Sequence, residues 1–414
     1  RPFLQTLFMA PPAPTALSTR TLVLMAVACG LCAGANYFNQ PLLHSIAVDL
    51  GVPESRAALT VTMAQVSYAI GLLALVPLGD LLERRRLVLT LMVLAALGLL
   101  LSGLGGALHL FSLLAVGTIT CGLFSVAAQI LVPMAAAFAA PGSAGRAVGL
   151  VMSGLLVGIL ASRSISGVLS GLGGWSTVYW VGAAAMLGTA ALLGRALPKA
   201  PPVQRLGYGA ALGSLLTLAR QHARLGSRAL IGAAAFATVS VLFSTMALML
   251  AGPAYGMGDA TIGLIGLAGV AGAFMANVAG RMADRGLERR TTLAGVVTLL
   301  AGWAALWFGD VSLGAFLLGM LLVDGGLQAL HISNQNVVYA LEPQARSRLN
   351  AVYMTSYFIG ASAGSALGSW AWLHGRWAWT CVAGAGLGLL TLAAVLWDRR
   401  LMRGHGPGQA AKAE

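Results

Sequence analysis

Three side chains stand inside long apolar stretches where charge is costly: Arg163, Asp324 and His331. At the helical rise of 1.5 Å per residue, Arg163 lies about 25 Å from Arg146, too deep to snorkel to that end. Asp324 lies about 21 Å from Asp310 on the same rise, and it is the carboxylate set deepest inside a predicted helix. An ionisable group within a membrane marks an ion or proton path by default. Burial favours the protonated form of a carboxylate and a nearby guanidinium favours the ionised form, so a change in the distance between Asp324 and Arg163 can switch the protonation of Asp324, and proton coupling there is the chemistry on offer. His331 follows two turns later, and both side chains can share a face and form a relay. Structural roles compete: Arg163 bracing a gate, Asp324 in a fixed ion pair, His331 as a packed hydrogen-bonding group. No catalytic residue, metal site or cofactor is expected. His44, His109, His222, His331, His374 and His405 are scattered, and no His-Glu-x-x-His run occurs, which sets aside a membrane-embedded enzyme. Cys29, Cys32, Cys121 and Cys381 all fall in apolar segments and read as packing rather than disulfides.

The elements that must carry these residues follow from composition. The 414-residue chain is 58% hydrophobic and 9% charged, against about 25% charge in an ordinary soluble domain. Its 54 glycines have no three-residue period and sit inside Leu/Ala/Val runs, as close helix packing in lipid requires. The formal charge of +13 comes from basic residues lying between apolar runs, not on one amphipathic face. They read as topology determinants, and no nucleic-acid partner is expected. Apolar windows predict helices at 21–41, 57–78, 87–105, 110–138, 146–170 and 175–194, then at 228–252, 261–282, 291–308, 312–339, 348–371 and 377–397. The predicted fold class is therefore an all-α polytopic membrane protein with twelve transmembrane helices in two pseudo-symmetric six-helix bundles.

The expected organisation is a cytoplasmic N-terminal segment (1–20), an N-terminal half (21–194), a cytoplasmic linker (195–227), a C-terminal half (228–400) and a cytoplasmic tail (401–414), with disorder expected from Arg403 onward. Within the linker, 208–224 can form a surface helix. Met9 is the expected start, and the short apolar patch at 4–10 runs into prolines rather than a cleavage context, so the first spanning helix is expected to direct insertion. With the N-terminus in the cytoplasm, all but Arg56, Arg163 and Arg376 of the 25 Lys and Arg residues face inward, which sets the orientation. A shift of 202 residues pairs Gly117 with Gly319, Pro141 with Pro343, Arg146 with Arg348, Met152 with Met354, Gly158 with Gly360 and Trp175 with Trp377. Because six helices is an even number, both halves insert the same way, as in parallel-repeat transporters, and the substrate path falls between them. Asp324 meets Gly122 at this shift and Arg163 meets Ser365, so the deep charges break the symmetry.

Each half carries one charged loop at corresponding places. The first reads Gly79-Asp80-Leu-Leu-Glu83-Arg84-Arg85-Arg86; the second reads Gly280-Arg281-Met-Ala-Asp284-Arg285-Gly-Leu-Glu288-Arg289-Arg290. Positive-inside charge accounts for the arginines but not for the two aspartates. An acid at a helix end followed by arginines can latch neighbouring helices in one state. These loops resemble the G-x-L-x-D-R-x-G-R-R signature of the major facilitator superfamily, fully in the second half and partly in the first, where Val76 replaces the first glycine. The run Asn36-Tyr37-Phe38-Asn39-Gln40-Pro41-Leu42-Leu43 and the segment from Asn334-Gln335 to Asn350 are similar to bacterial members near its drug and sugar efflux branch. The resemblance covers about residues 20–400.

This resemblance implies a proton-coupled carrier and a central cavity. The family's antiporter signature, G-x8-G-x3-G-P-x2-G-G, is matched in part: Gly149 and Gly158 keep the first spacing, while Ser162-Arg163 replaces Gly-Pro. Thr118 stands near the place of the family's fourth-helix arginine. Small residues repeat every four positions at Gly154, Gly158, Ser162 and Ser166, and again at Ser356, Gly360, Gly364 and Gly368, forming packing stripes that also offer smooth surfaces for rocking. Asn36, Asn39, Gln40, Gln65, Tyr68, Gln129, Asn334, Gln335 and Tyr357 lie on helices that line the cavity in the family and point to a mixed polar and apolar substrate. The expected function is proton-coupled efflux of a small organic molecule by a monomer in the cytoplasmic membrane, with both termini inside. Alternatives are a facilitator or proton symporter for a sugar-like or amino-acid-like solute, and a non-transporting sensor.

Overall fold

The computed structural model describes residues 17–140, 143–199, 207–266, 288–342 and 346–404, and every regular element among them is helical. The N-terminal half comprises α1 (Thr19–Ala35), α2 (Leu43–Asp49), α3 (Glu54–Ala74), α4 (Leu78–Leu81), α5 (Arg84–Ala107), α6 (Phe111–Phe124), α7 (Ala127–Ala137), α8 (Ala144–Gly173) and α9 (Thr177–Ala196). The linker carries α10 (Tyr208–Gln221). The C-terminal half comprises α11 (Ala223–Ala251), α12 (Asp259–Ile265), α13 (Glu288–Leu306), α14 (Leu313–Leu341) and α15 (Arg346–Gly404).

Two predicted single helices are broken. The first spanning segment stops at Ala35, turns through 37–39 and resumes past a short 3₁₀ turn at Gln40–Leu42 led by Pro41, which has no N–H to continue a helix. The fourth is split between α6 and α7 at Ser125 and Val126, ahead of Pro133. In contrast, α15 merges two predicted helices across Gly375 and Arg376, whose backbone is non-helical; Arg376 has φ 52°. The predicted helix at 261–282 is described only through α12, and the remainder lies outside the described residues.

Nine helices among the described residues are long and apolar enough to cross a bilayer, and one of them, Arg348–Met402, is long enough for two crossings. Their outward faces carry large apolar side chains such as Val23, Ile70, Val93, Leu172 and Leu318, each at least 44% exposed, which is the surface a lipid-solvated bundle presents.

The halves repeat their internal packing. In the first, α8 lies against α1 and α5 against α6; in the second, α15 lies against α11 and α13 against α14. Gly154 and Gly158 approach the backbone of Ala26 and Gly30, while Gly360 and Gly364 approach the carbonyls of Ala233 and Ala237. A side chain at any of these four positions would collide with backbone, so each glycine sets a helix separation. Gly368 meets Ser244 and Val241 in the same seam. Gly149 does not share this role: among the described residues nothing lies within 4 Å of a methyl group placed there, and the contact with α1 begins at Gly154.

One end of the bundle holds Asp49, Glu54, Asp259 and Asp310, and the other holds Arg84, Arg85, Arg86, Arg195, Arg289, Arg399 and Arg400. At the acidic end, Glu54 of α3 accepts from Trp372 Nε1 at 2.8 Å and from Arg376 Nη1 at 2.6 Å, tying the halves together. Ser170 donates to Asp259 at 2.5 Å, Ser164 to the Gly263 carbonyl at 2.8 Å, and the Thr62 and Ser365 hydroxyls stand 2.8 Å apart. Every hydrogen bond between described residues of the two halves lies between this end and mid-depth. At the basic end the linker takes part instead, with Tyr208 donating to the Ala74 carbonyl at 2.8 Å.

Candidate functional site

The break after α1 builds the centre of the molecule. It turns Tyr37 and Gln40 toward α8, where Gln40 Oε1 accepts from Arg163 Nε at 2.7 Å. The Arg163 guanidinium also stands 5.0 Å from the Tyr37 ring centroid and 3.9 Å from that of Phe243 on α11, in the opposite half. Only 6% of Arg163 is exposed. A desolvated guanidinium gains about 2 kcal/mol from such a ring, which offsets part of its burial cost. Phe243 was hidden in the sequence among other apolar residues, with no local pattern to single it out.

Asp324, on α14, reaches the same depth from the other side. Counted along their helices, both residues lie about 15 Å from the acidic end. Asp324 is within electrostatic reach of Arg163 and Tyr357, yet among the described residues its carboxylate has no hydrogen-bond or ion-pair partner. It is half-buried. The two deep charges therefore come from different halves and attract each other without being locked together.

An aromatic wall crosses the seam beside them. Tyr68 lies 4.4 Å from Phe358 between ring centroids, and Tyr357 stacks on Phe236 at 4.1 Å. His331 packs 4.8 Å from Tyr357, and its Nδ1 is 3.0 Å from the Tyr353 hydroxyl. The expected relay does not appear as a contact: His331 bonds Tyr353, not Asp324, because Tyr353 on α15 closes over its ring nitrogen. Gln129, the residue matching His331 in the repeat, also bonds a tyrosine hydroxyl, donating to Tyr68 on α3 at 3.3 Å, whereas Tyr353 matches Val151 on α8.

From Tyr353 a polar chain runs to the basic end. Asn334 Nδ2 donates to the Tyr353 hydroxyl at 3.5 Å, and Asn334 Oδ1 accepts from Arg228 Nη1 at 3.4 Å. Arg228 Nη2 pairs with Asp398 at 2.7 Å, and Ser227 donates to the other oxygen of Asp398 at 2.5 Å. Sequence reading missed this pair. The two residues sit at the predicted edges of the first and last helices of the half, where a charge is ordinary.

The other expected cavity residues divide into two groups. Gln65 lies in the seam, accepting from Ser240 at 3.3 Å, while Gln335 is half-buried with no side-chain hydrogen bond among the described residues. Asn36 and Asn39 do not line the seam. They share a pocket of about 10 Å³ wholly inside the N-terminal half with Ser102, Thr118 and Tyr179. The break in the first helix swings them back into their own bundle, where Asn39 Nδ2 donates to Thr60 at 2.9 Å.

In the first charged loop, Glu83 caps α5 by accepting from the Arg85 and Arg86 amides, Arg84 donates to the Gly79 carbonyl at 2.8 Å, and Arg85 donates to the Gly194 carbonyl. The Asp80 side chain lies outside what is described, as do Gly280, Asp284 and Arg285. Arg289 and Arg290 are exposed on the first turn of α13. The four cysteines are buried and unpaired, and no cluster of His, Cys, Asp and Glu among the described residues could hold a metal.

The sequence profile of the Major Facilitator Superfamily matches residues 25–341. The uncharacterized transporter YgaY of Escherichia coli O157:H7 is 46% identical over 387 residues, covering 94% of this chain and 97% of its own length. The probable transporter SCO4007 of Streptomyces coelicolor is 32% identical, with 90% and 87% covered. Among solved structures, an inward-facing and occupied bacterial homologue of the human lysosomal transporter Spinster superposes with a TM-score of 0.71 at 13% identity, covering 93% of this chain and 96% of that one. Its likeness concerns the fold. With two bundles of repeated packing, a polar and aromatic seam between them and relatives matched along nearly their whole length, this chain belongs to the major facilitator superfamily and is a multi-pass membrane transporter.

Proposed function

We propose that this transporter moves a small organic molecule outward across the cytoplasmic membrane by alternating access, in exchange for a proton at Asp324. The observation that carries this reading is that Arg163 on α8 and Asp324 on α14 stand at the same depth in opposite halves, Arg163 reaching Phe243 of the other half at 3.9 Å, with no direct bond between the two charges. When the halves close at this depth, the guanidinium favours an ionised carboxylate; when they part, Asp324 loses its counter-charge and takes up a proton. The aromatic wall of Tyr68, Phe236, Tyr357 and Phe358, edged by Gln65, Gln129 and Gln335, fits a substrate with an apolar body and a few polar groups.

In this reading the basic end faces the cytoplasm with both termini. Residues 21–194 and 228–400 form the moving halves, and 195–227 links them. The bonds at the acidic end then describe a carrier closed on the outside. One chain supplies both halves, so a monomer suffices. Asp80 and Asp284 act with the neighbouring arginines as latches between states: Asp284→Asn is expected to slow turnover more than it weakens substrate binding, and unaltered turnover would count against the latch.

The test begins with a thermal-shift panel of drugs, sugars and amino acids on purified protein, followed by flux of each hit in vesicles with and without an imposed proton gradient. Gradient-driven exchange supports the proposal. Gradient-independent flux selects a facilitator, a reading favoured by Ser162-Arg163 standing where the antiporter signature has Gly-Pro.

A further inference from the structure

At the basic end of the C-terminal half, away from the central seam, a cavity of about 150 Å³ opens between α11, α13 and α15. It is roughly ten times the ~15 Å³ that admits a single water. Four guanidinium groups line it, from Arg224, Arg228, Arg289 and Arg399, against a single carboxylate, Asp398. That carboxylate is already engaged on both oxygens, by Arg228 at 2.7 Å and Ser227 at 2.5 Å. Arg224, Arg289 and Arg399 have no carboxylate within 4.0 Å among the described residues. Glu288, the other acid within electrostatic reach of Arg228, is not part of the lining.

The donors are unsatisfied as well as numerous. Arg228 is only 2% exposed, and its Nη1 bonds Thr292 at 3.1 Å, yet its Nε has no acceptor among the described residues. Arg224 Nε is likewise buried without one among these residues. A buried N–H that lacks an acceptor costs about 1–3 kcal/mol, and here two such groups belong to cations beside the same cavity. Several guanidinium forks around one space match an acceptor with several oxygens and more than a trace of negative charge. Beside Asp398 on α15, Leu396 and Trp397 are each 45% exposed, which sets the cavity at the depth of an aromatic belt and of lipid headgroups.

We propose that this cavity binds a phosphate-bearing anion, either the phosphodiester headgroup of an anionic lipid or free phosphate. The site is independent of the transported substrate. An occupant bonded to Arg228 is connected through Asn334 and Tyr353 to His331, so its presence is felt at the central seam.

Thermal melting of the full-length protein in nonionic detergent tests this with two probes: inorganic phosphate against sodium chloride at matched ionic strength, and phosphatidylglycerol against phosphatidylcholine. Stabilisation by phosphate and phosphatidylglycerol identifies a site open to the free ion; stabilisation by phosphatidylglycerol alone identifies the lipid headgroup. Arg224→Gln combined with Arg399→Gln is expected to raise the half-saturating concentration at least tenfold. Melting that responds to neither probe beyond its control, or a double variant that saturates like the wild type, overturns the proposal. Native mass spectrometry of the wild type supplies a reading that does not depend on the variant folding: preferential retention of phosphatidylglycerol over phosphatidylcholine, or a phosphate adduct absent with chloride, is expected. Equal retention of the two lipids without that adduct counts against the site.

Discussion

At the scale of single residues, the buried charges of this carrier are held in two different ways, and substitution separates them. Arg228 and Asp398 are both under 5% exposed and directly paired. Asp398→Ala leaves a buried guanidinium without its counter-charge and is expected to destabilise the protein by about 3–5 kcal/mol. Arg376→Ala removes an ion pair of similar length to Glu54, but Arg376 is 70% exposed, so the loss is about 1 kcal/mol or less. Melting curves of the two variants side by side check the contrast; equal losses would show that burial does not govern it. Asp324 and Arg163 belong to neither class, since they attract without pairing. On the proposed mechanism, Asp324→Asn abolishes proton-driven flux while leaving folding intact, and counterflow exchange of substrate in vesicles survives. Retention of gradient-driven flux in this variant would remove Asp324 from the coupling.

At the scale of helices, glycine position decides whether a side chain can be added. Gly364→Ala drives a methyl group into the Ala237 carbonyl, and the resulting overpacking costs about 1–3 kcal/mol. Gly149→Ala meets open space and is expected to stabilise its helix by up to about 1 kcal/mol through helix propensity alone. Parallel thermal melts distinguish them, and a destabilised Gly149→Ala would mean that an unseen contact lies there. Both glycines belong to stripes that the four-residue spacing made visible, but spacing cannot tell where along a helix its neighbour begins. The helices, the deep charges and the packing stripes are legible because each is a local pattern in an apolar background. The break after Ala35 is not, because Pro41 marks where a helix must end but not that the chain leaves it six residues earlier. Its consequences are tertiary: Gln40 is brought to Arg163, 123 positions away, and Asn36 and Asn39 are turned into their own bundle. Arg228 and Asp398 escape sequence reading for a similar reason, since 170 positions separate two residues that look like ordinary helix ends.

At the scale of the whole molecule, the two halves touch through a hydrogen-bonded strip that runs from Glu54 inward along α3 to Gln65, facing α11 and α15. Alternating access requires this strip to open, so a covalent bond across it should stop turnover. The Thr62 and Ser365 hydroxyls, 2.8 Å apart, offer the place to form one. Replacing both with cysteine puts two thiols within bridging distance while removing a single part-buried hydrogen bond, and the four native cysteines are buried and poorly placed to compete. Oxidation of the Thr62→Cys, Ser365→Cys protein is expected to trap the carrier closed at its acidic end, cutting flux by tenfold or more, with recovery on reduction. Either single variant, oxidised in the same way, serves as the control and should transport normally. Full turnover in protein shown by mass spectrometry to be cross-linked would mean that this strip stays closed throughout the cycle and that the halves part elsewhere.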